Sequence, residues 1–313
     1  MSSLSERIQD ATERPIDHSA IEASLDDPRL IDCHVHAPPE HRAYPDFHGF
    51  QKERTMMTPE RLIDWMNEHG IDQSVLLPIE SNATRSYIPT WLMLEYAARY
   101  PRRFIPFCVV DPKIVVMDGE AWVERVIEEY VSRGARGFGE LRVDLPIDDE
   151  RMQLLYRICE GLELPMLIHT EAGFAGDEVG FLRLEHMLAK YPDLDVILHH
   201  YAWWAHMGAE VTEDDLSGNP SGPIEEPGRV DELLSTYDNV YADLSSPSGF
   251  NALTRDMEYG QSFLERHADR LIWGTDKLFW PQRIPHFALF ALFELDAAAW
   301  EHIRFRNLEQ LLV

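Results

Sequence analysis

The chain has little lysine: four residues (Lys52, Lys113, Lys190 and Lys277) among 28 basic ones, against 55 acidic residues. The formal charge of −27 argues against a nucleic-acid backbone or an anionic membrane surface as partner, because both would be repelled. Acidic excess with scarce lysine suits work in concentrated salt, where screening relieves self-repulsion. A GC-rich genome, which favours arginine codons, produces the same bias. Cysteine is scarce as well. Cys33, Cys108 and Cys159 are odd in number, far apart and set in apolar runs. That excludes a disulfide framework and predicts reduced core thiols in a cytoplasmic protein. No apolar run reaches the roughly 18–20 residues needed to span a bilayer. The opening Met1–Arg7 has no basic segment leading into an apolar one, so no signal peptide is expected. No linker rich in proline, glycine and serine divides the chain, and there is no internal repeat or low-complexity tract.

What is present is a long alternation. After an N-terminal extension (residues 1–29), apolar and β-branched runs predict eight strands at Leu30–His36, Asp72–Ile79, Phe104–Val110, Ala135–Val143, Pro165–Thr170, Leu194–His200, Val240–Ser245 and Leu271–Thr275. Helical spacing fills the gaps between them. Thr58-Pro59-Glu60 opens one helix with a capping threonine and a proline at its first position, and His69-Gly70 closes it. Further helices are expected over Thr90–Tyr100, Gly119–Ser132, Asp149–Gly161, Gly180–Lys190, Pro227–Thr236, Ala252–Ala268 and Pro285–Ala299, with a terminal helix near Trp300–Leu312. Repeated strand–helix units predict a parallel sheet, and eight of them over residues 30–313 predict an α/β fold of the closed (β/α)8, or TIM-barrel, type. An open doubly wound sheet is the rival, but it binds nucleotide at a glycine-rich first turn, and Asp32–Pro39 has no glycine. No nucleotide is therefore expected. The breaker-rich stretch Thr212–Pro227 reads as a long loop after strand six.

Polar residues gather at the strand ends. Strand one ends in His34-Val35-His36, strand five in His169-Thr170-Glu171, strand six in His199-His200 and strand eight in Gly274-Thr275-Asp276. Residues two apart on a strand share a face, so His34 and His36 aim at one spot. In a barrel the C-terminal strand ends surround a single pocket. Several histidines with a carboxylate there suit zinc, with manganese or iron as alternatives, and a coordination position left to water would make the site catalytic.

The set Ile31-Asp32-Cys33-His34-Val35-His36, Leu167-Ile168-His169-Thr170, Val196-Ile197-Leu198-His199-His200 and Arg270-Leu271-Ile272-Trp273-Gly274-Thr275-Asp276 resembles the amidohydrolase superfamily. More narrowly, it is similar to the amidohydrolase-2 branch, which includes aminocarboxymuconate-semialdehyde decarboxylase and related aromatic-acid decarboxylases and hydrolases. The resemblance runs from about Leu30 to the terminal helix, where Phe305-Arg306-Asn307-Leu308 stands in place of the branch's Gly-Asn-Ala ending. It implies a (β/α)8 barrel with a divalent metal. By position, His34, His36, His169 and Asp276 would be ligands, and His200 a catalytic acid/base or a ligand of a second ion. The branch places its strand-six histidine one residue after a small residue; that favours His200 for the role and would leave His199 facing the barrel wall.

The chain departs from the branch in ways that bear on substrate. Tyr201-Ala202-Trp203-Trp204 follows His200 where glycines are common, and these rings either wall a flat apolar pocket or pack the loop. Lys277 and Trp280 follow Asp276, and an ammonium there would suit an anionic substrate. On strand four, Glu140 could bridge two metals as in some superfamily members, with His169 and His200 completing a second site, and Arg142 could grip a substrate carboxylate with its fork. His41 and His48, in the loop Ala37–Met57, could overhang the pocket.

The expected function is a metal-dependent enzyme that hydrolyses or decarboxylates a small cyclic or aromatic carboxylate. A metal-activated water takes part, and Asp276 and His200 move protons. The alternatives are a binuclear hydrolase with Glu140 bridging and a non-catalytic barrel that holds metal for structure. A small-molecule substrate, no nucleic-acid or membrane partner, and self-association into a homo-oligomer complete the expectation.

Overall fold

A computed structural model of the chain describes residues 2–13, 22–23, 25–38, 55–81, 83, 86–114 and 119–312. Eight parallel strands form the barrel: β1 (Ile31–Val35), β2 (Gln73–Leu76), β3 (Phe104–Pro106), β4 (Phe138–Leu141), β5 (Met166–His169), β6 (Val196–His199), β7 (Val240–Asp243) and β8 (Leu271–Ile272). Continuous ladders join β1-β2-β3 and β4-β5-β6-β7-β8. Two seams close these sheets into a ring. At one, Cys108 bridges Phe138, with Cys108 N–H donating to Gly137 O at 2.9 Å. At the other, Cys33 N–H donates to Trp273 O, Asp276 N–H to His34 O and His36 N–H to Lys277 O, at 3.1, 2.9 and 2.8 Å.

The helices are α1 (Leu4–Glu13), α2 (Pro59–Glu68), α3 (Thr90–Arg99), α4 (Glu120–Ser132), α5 (Glu150–Gly161), α6 (Leu182–Lys190), α7 (Tyr201–Ala205), α8 (Arg229–Thr236), α9 (Ser246–Thr254), α10 (Met257–His267), α11 (Leu289–Leu292), α12 (Ala297–Glu301) and α13 (Asn307–Leu311). Local chemistry sets their starts. The Thr58 side chain accepts from Arg61 N–H ahead of Pro59 in α2, and the Asp149 carboxylate accepts from Arg151 N–H in α5. The stretch Ala252–Ala268, expected as one helix, is broken. Asp256 leaves helical geometry (φ −139°) and caps α10 by accepting from Tyr259 N–H. Pro285–Ala299 is likewise divided, because Asp296 starts α12 by accepting from Ala299 N–H. Within Thr212–Pro227, Glu213–Ser217 winds into a short 3-10 turn capped reciprocally by Thr212 and Asp215.

One face of each strand packs inside the barrel. Ile31, Cys33, Val75, Leu77, Phe107, Leu167, Ile197, Tyr241 and Ile272 form this interior, and Phe305, Leu308, Leu311 and Leu312 of the C-terminal turns join them. The interior is a packed core rather than a channel, so only the opposite end is open to chemistry. At the side, α1 docks on α9 through Arg7, whose guanidinium donates to Asn251 Oδ1 (2.5 Å) and Thr254 Oγ1 (3.3 Å).

Candidate metal centre and active site

Two strands carry irregularities at the positions the site needs. The β1–β2 register slips by one residue between Asp32 and Val35, and the β4–β5 register slips between Phe138 and Leu141. Such bulges re-aim side chains. Below the first slip Ile31 and Cys33 face the barrel interior; above it His34 and His36 turn together to the mouth. The second slip lies at Glu140, which is 4% exposed.

Four side chains converge there. His34 Nε2 lies 3.1 Å from His36 Nε2, 3.8 Å from Glu140 Oε2 and 3.7 Å from Asp276 Oδ1. His36 Nε2 lies 3.3 Å from Glu140 Oε2 and 3.6 Å from Asp276 Oδ1. A tetrahedral ion with bonds of about 2.0–2.2 Å sets its ligand atoms about 3.3–3.6 Å apart; these five distances, 3.1–3.8 Å, bracket that range, and His34, His36 and Glu140 form a group close enough to hold one ion. The ring tautomers are arranged for it. His34 Nδ1 is 2.7 Å from Asp243 Oδ2 and His36 Nδ1 is 2.9 Å from Leu77 O. Each bond takes an Nδ1 proton and leaves Nε2 free to ligate.

Asp243, which the sequence reading did not single out, is fully buried and accepts four donors. Oδ1 takes Cys33 S–H (3.2 Å) and Ser245 N–H (2.8 Å); Oδ2 takes His34 Nδ1–H and Ser245 O–H (2.9 Å). Gly274 makes room for this network, since a Cβ there would stand 2.8 Å from Cys33 Sγ and 3.0 Å from Asp243 Oδ1. Asp32 ties the first strand to the last. Its carboxylate accepts Thr275 N–H, Thr275 O–H and His34 N–H, and burial raises its pKa to about 7.

His169 stands behind Glu140 rather than beside His34 and His36. Its Nδ1 is 2.6 Å from Glu140 Oε1 and its Nε2 is 3.0 Å from Glu171 Oε2. The ring of His200 stacks on it at 3.9 Å, with its own Nδ1 buried, 3.7 Å from Glu171 and without a hydrogen bond among the described residues. His199 faces inward, not toward the wall. It is 1% exposed, its ring lies 4.4 Å from that of His34, and its Nε2 is 3.9 Å from Glu140 Oε1. The register carried this signal: His199 pairs with His169 across β5–β6, and both sit two residues above interior positions, Ile197 and Leu167. His169, His199 and His200 offer a second group of ligand atoms close enough for one ion.

Electrostatics follow burial and neighbours. Burial alone would raise the Glu140 carboxyl, but hydrogen bonds from His169 and His36 bring it well below the usual range. Burial opposes charge on His34, yet the Asp243 carboxylate beside it, with Asp276 and Glu140, lifts its pKa to about 10. Burial raises Asp276 and depresses both His199 and His200 well below the ordinary imidazole value. Asp276 (φ +58°) and His200 (φ +84°) adopt left-handed backbone. That conformation costs a non-glycine residue about 1–3 kcal/mol and clusters at functional positions.

The remaining candidates are spread. Arg142 lies at the rim, with Nη2 3.6 Å from Glu171 Oε2, its guanidinium 5.3 Å from the Phe174 ring and a buried Nε lacking a partner. Tyr201 is half-buried with its ring 4.1 Å from that of His200. Trp203 is buried against Phe181 and Trp204. Lys277 is buried between Trp65 and Trp280, its Nζ 5.1 and 5.0 Å from their ring centres and without a hydrogen bond among the described residues. Burial brings its pKa down to about 8. Trp280 is 41% exposed. His41 and His48 lie outside the described residues.

The model of one protein family, Amidohydrolase, matches residues 31–303. The chain belongs to the amidohydrolase family. Among solved structures, this amidohydrolase is similar to an uncharacterised TIM-barrel protein of Bordetella bronchiseptica (TM-score 0.64, 18% identity, 91% of this chain and 98% of that one). It is also similar to a putative 2-pyrone-4,6-dicarboxylic acid hydrolase of Pseudomonas putida (0.60, 15%, 91% and 97%). A third relative in fold is 5-carboxyvanillate decarboxylase of Novosphingobium aromaticivorans, crystallised with manganese (0.57, 16%, 91% and 96%). At these identities the structures establish the (β/α)8 fold of the amidohydrolase. No curated protein matches its sequence. None of its described helices is long and apolar enough to cross a membrane, and its three cysteines are buried free thiols.

Proposed function

We propose that this amidohydrolase is a divalent-metal enzyme that hydrolyses or decarboxylates a small cyclic or aromatic carboxylate in the cytoplasm. The observation that carries the reading is the convergence of His34, His36, Glu140 and Asp276, whose atoms lie 3.1–3.8 Å from His34 Nε2 and His36 Nε2, with both histidine tautomers set by Asp243 and Leu77. An ion held there, zinc in the first instance with manganese or iron as alternatives, supplies Lewis acidity to a water or a substrate oxygen. Asp276 offers one oxygen to that ion and a second to a proton. His200, neutral at pH 7 because burial opposes its charge, takes or returns a proton at the substrate. Arg142 sits at the rim with unfilled hydrogen-bonding capacity, suited to a substrate carboxylate. Tyr201 flanks His200 and offers a ring face to a flat substrate. Lys277 and Trp280 are the more distant substrate candidates.

A binuclear form is the second reading. Glu140 turns Oε2 toward His34 and His36 and Oε1 toward His169 and His199, and the group His169, His199 and His200 could hold another ion.

The fold relatives supply the first compounds to test. Protein stripped of metal and reloaded in turn with zinc, manganese and iron(II) is offered 2-pyrone-4,6-dicarboxylate, 2,6-dihydroxybenzoate and 5-carboxyvanillate, with ultraviolet loss and carbon dioxide release followed. Turnover of a cyclic carboxylate that requires metal and disappears in His34→Ala is expected. Bound metal with equal turnover in wild type and His34→Ala would defeat the proposal.

A further inference from the structure

Away from the metal centre, the segment from Gly208 to Pro227 folds over the corner where α9 meets α10 and lines a cavity of about 370 Å³. The cavity is held open by specific bonds. Asn251 Nδ2 donates to Pro220 O (2.9 Å) while its Oδ1 accepts from Arg7, and Ile224 N–H donates to Asp256 Oδ2 (2.9 Å). Gly208 bridges Pro227 across the base of the segment.

The lining is electrostatically mixed. Arg255 and Asp215 line the cavity together with Glu210, Glu225 and Glu226, which are exposed. Its guanidinium makes no hydrogen bond or ion pair with any described residue, and its Nε is buried without a partner. Burial depresses its pKa, opposed chiefly by the charges of Asp256 and Asp215. Gly208 leaves space for the fork: a Cβ there would lie 3.1 Å from Arg255 Nη2. An arginine fork with no partner matches a carboxylate bidentately. The surrounding carboxylates match a cation. A simple anion would meet four acids, and a simple cation would leave Arg255 unfilled.

We propose that this cavity is a second ligand site, which binds a small zwitterion with its carboxylate on Arg255 and its cationic end toward Glu210, Glu225 and Glu226. A basic amino acid has this chemistry. None of the lining residues belongs to the metal centre, so the site is independent of the reading given above.

Titration calorimetry on the full chain tests it with L-arginine, with agmatine, which keeps the guanidinium but lacks the carboxylate, and with glutarate, which has carboxylates and no cation. L-arginine should bind at least roughly tenfold more tightly than either, the worth of one charge-assisted bidentate pair. Arg255→Gln should abolish the gap between L-arginine and agmatine. Gly208→Ala, which presses a methyl on the guanidinium, should narrow it without changing agmatine. His34→Ala should bind L-arginine as the wild type does. The proposal is overturned by absence of L-arginine binding up to about 10 mM, by equal binding of L-arginine and agmatine to the wild type, or by binding that survives Arg255→Gln yet is lost in His34→Ala.

Discussion

Replacing Asp243 with asparagine should damage metal binding at the proposed site, because Asp243 holds His34 from behind. The carboxylate accepts at both oxygens, two donors to each. An amide of the same shape can accept at only one end. Ser245 N–H is a backbone donor that cannot reverse, so the amide oxygen must take the Oδ1 position facing it. The amide nitrogen then occupies the Oδ2 position, 2.7 Å from His34 Nδ1. His34 must now accept there, which moves its proton to Nε2, the atom that points at His36, Glu140 and Asp276. A ligand in the wrong tautomer loses the lone pair it needs. Losing a group that orients a metal-bound histidine typically costs 10–100-fold in affinity, about 1.4–2.7 kcal/mol. Competition between the protein and a fluorescent chelator at fixed pH measures the loss, with circular dichroism as the check on folding. Nitrogen-15 spectra of the metal-free variant should show the His34 proton at Nε2. A folded Asp243→Asn protein that binds metal within about twofold of wild type would refute the tautomer argument.

The pH dependence of the metal-free protein follows from His34. Its pKa rises from 6.5 to about 10 on folding, so its contribution to stability is full below about 6.5 and disappears as pH climbs toward 10. Urea midpoints of the metal-free protein should therefore fall across that window, while metal affinity rises because the ion competes with a proton; flat or rising midpoints would contradict the charge assignment. Asp276→Asn keeps an oxygen for the ion but cannot take a proton. It should retain part of its metal and lose turnover by at least roughly a hundredfold, and near-normal rates would remove Asp276 from the proton transfer. Arg142→Lys, which keeps the charge but loses the fork, should raise KM for a carboxylate substrate by roughly tenfold with little change in kcat, and an unchanged KM would remove Arg142 from substrate binding.

The barrel and the shared face of His34 and His36 were legible because they depend on periodicity. Alternating strands and helices gave eight units, and spacing by two put His34 and His36 on one face. Both outcomes survive small local irregularities. The place of Glu140 was harder to read, since it follows from a one-residue slip in β4 whose signal is the neighbouring Gly139, which takes a positive φ inside the strand. His199 was readable in principle, but only after the β5–β6 register was known. Asp243 carried no signal of its own in the sequence; two of its four bonds come from Cys33 and His34 on the distant β1, and two from Ser245 beside it. The helix expected over Ala252–Ala268 failed at Asp256. There a capping carboxylate outweighs a pattern that otherwise reads as continuous, and it also anchors Ile224 from a distant segment.

The seam between the first and last strands has a consequence for how the protein is made. His34 and Asp276 are joined directly across it by a backbone hydrogen bond, and they are among the most widely separated partners in the chain. A ribosome delivers His34 early and Asp276 near the end, so a nascent chain carries an incomplete set of donors through most of synthesis. Closing so long a loop costs entropy before any ion can repay it. With the proposed ligand set, metal capture would therefore come late and report that the ring has shut. Fragments that stop before β8 should leave the ion in solution, which makes occupancy a record of completed folding.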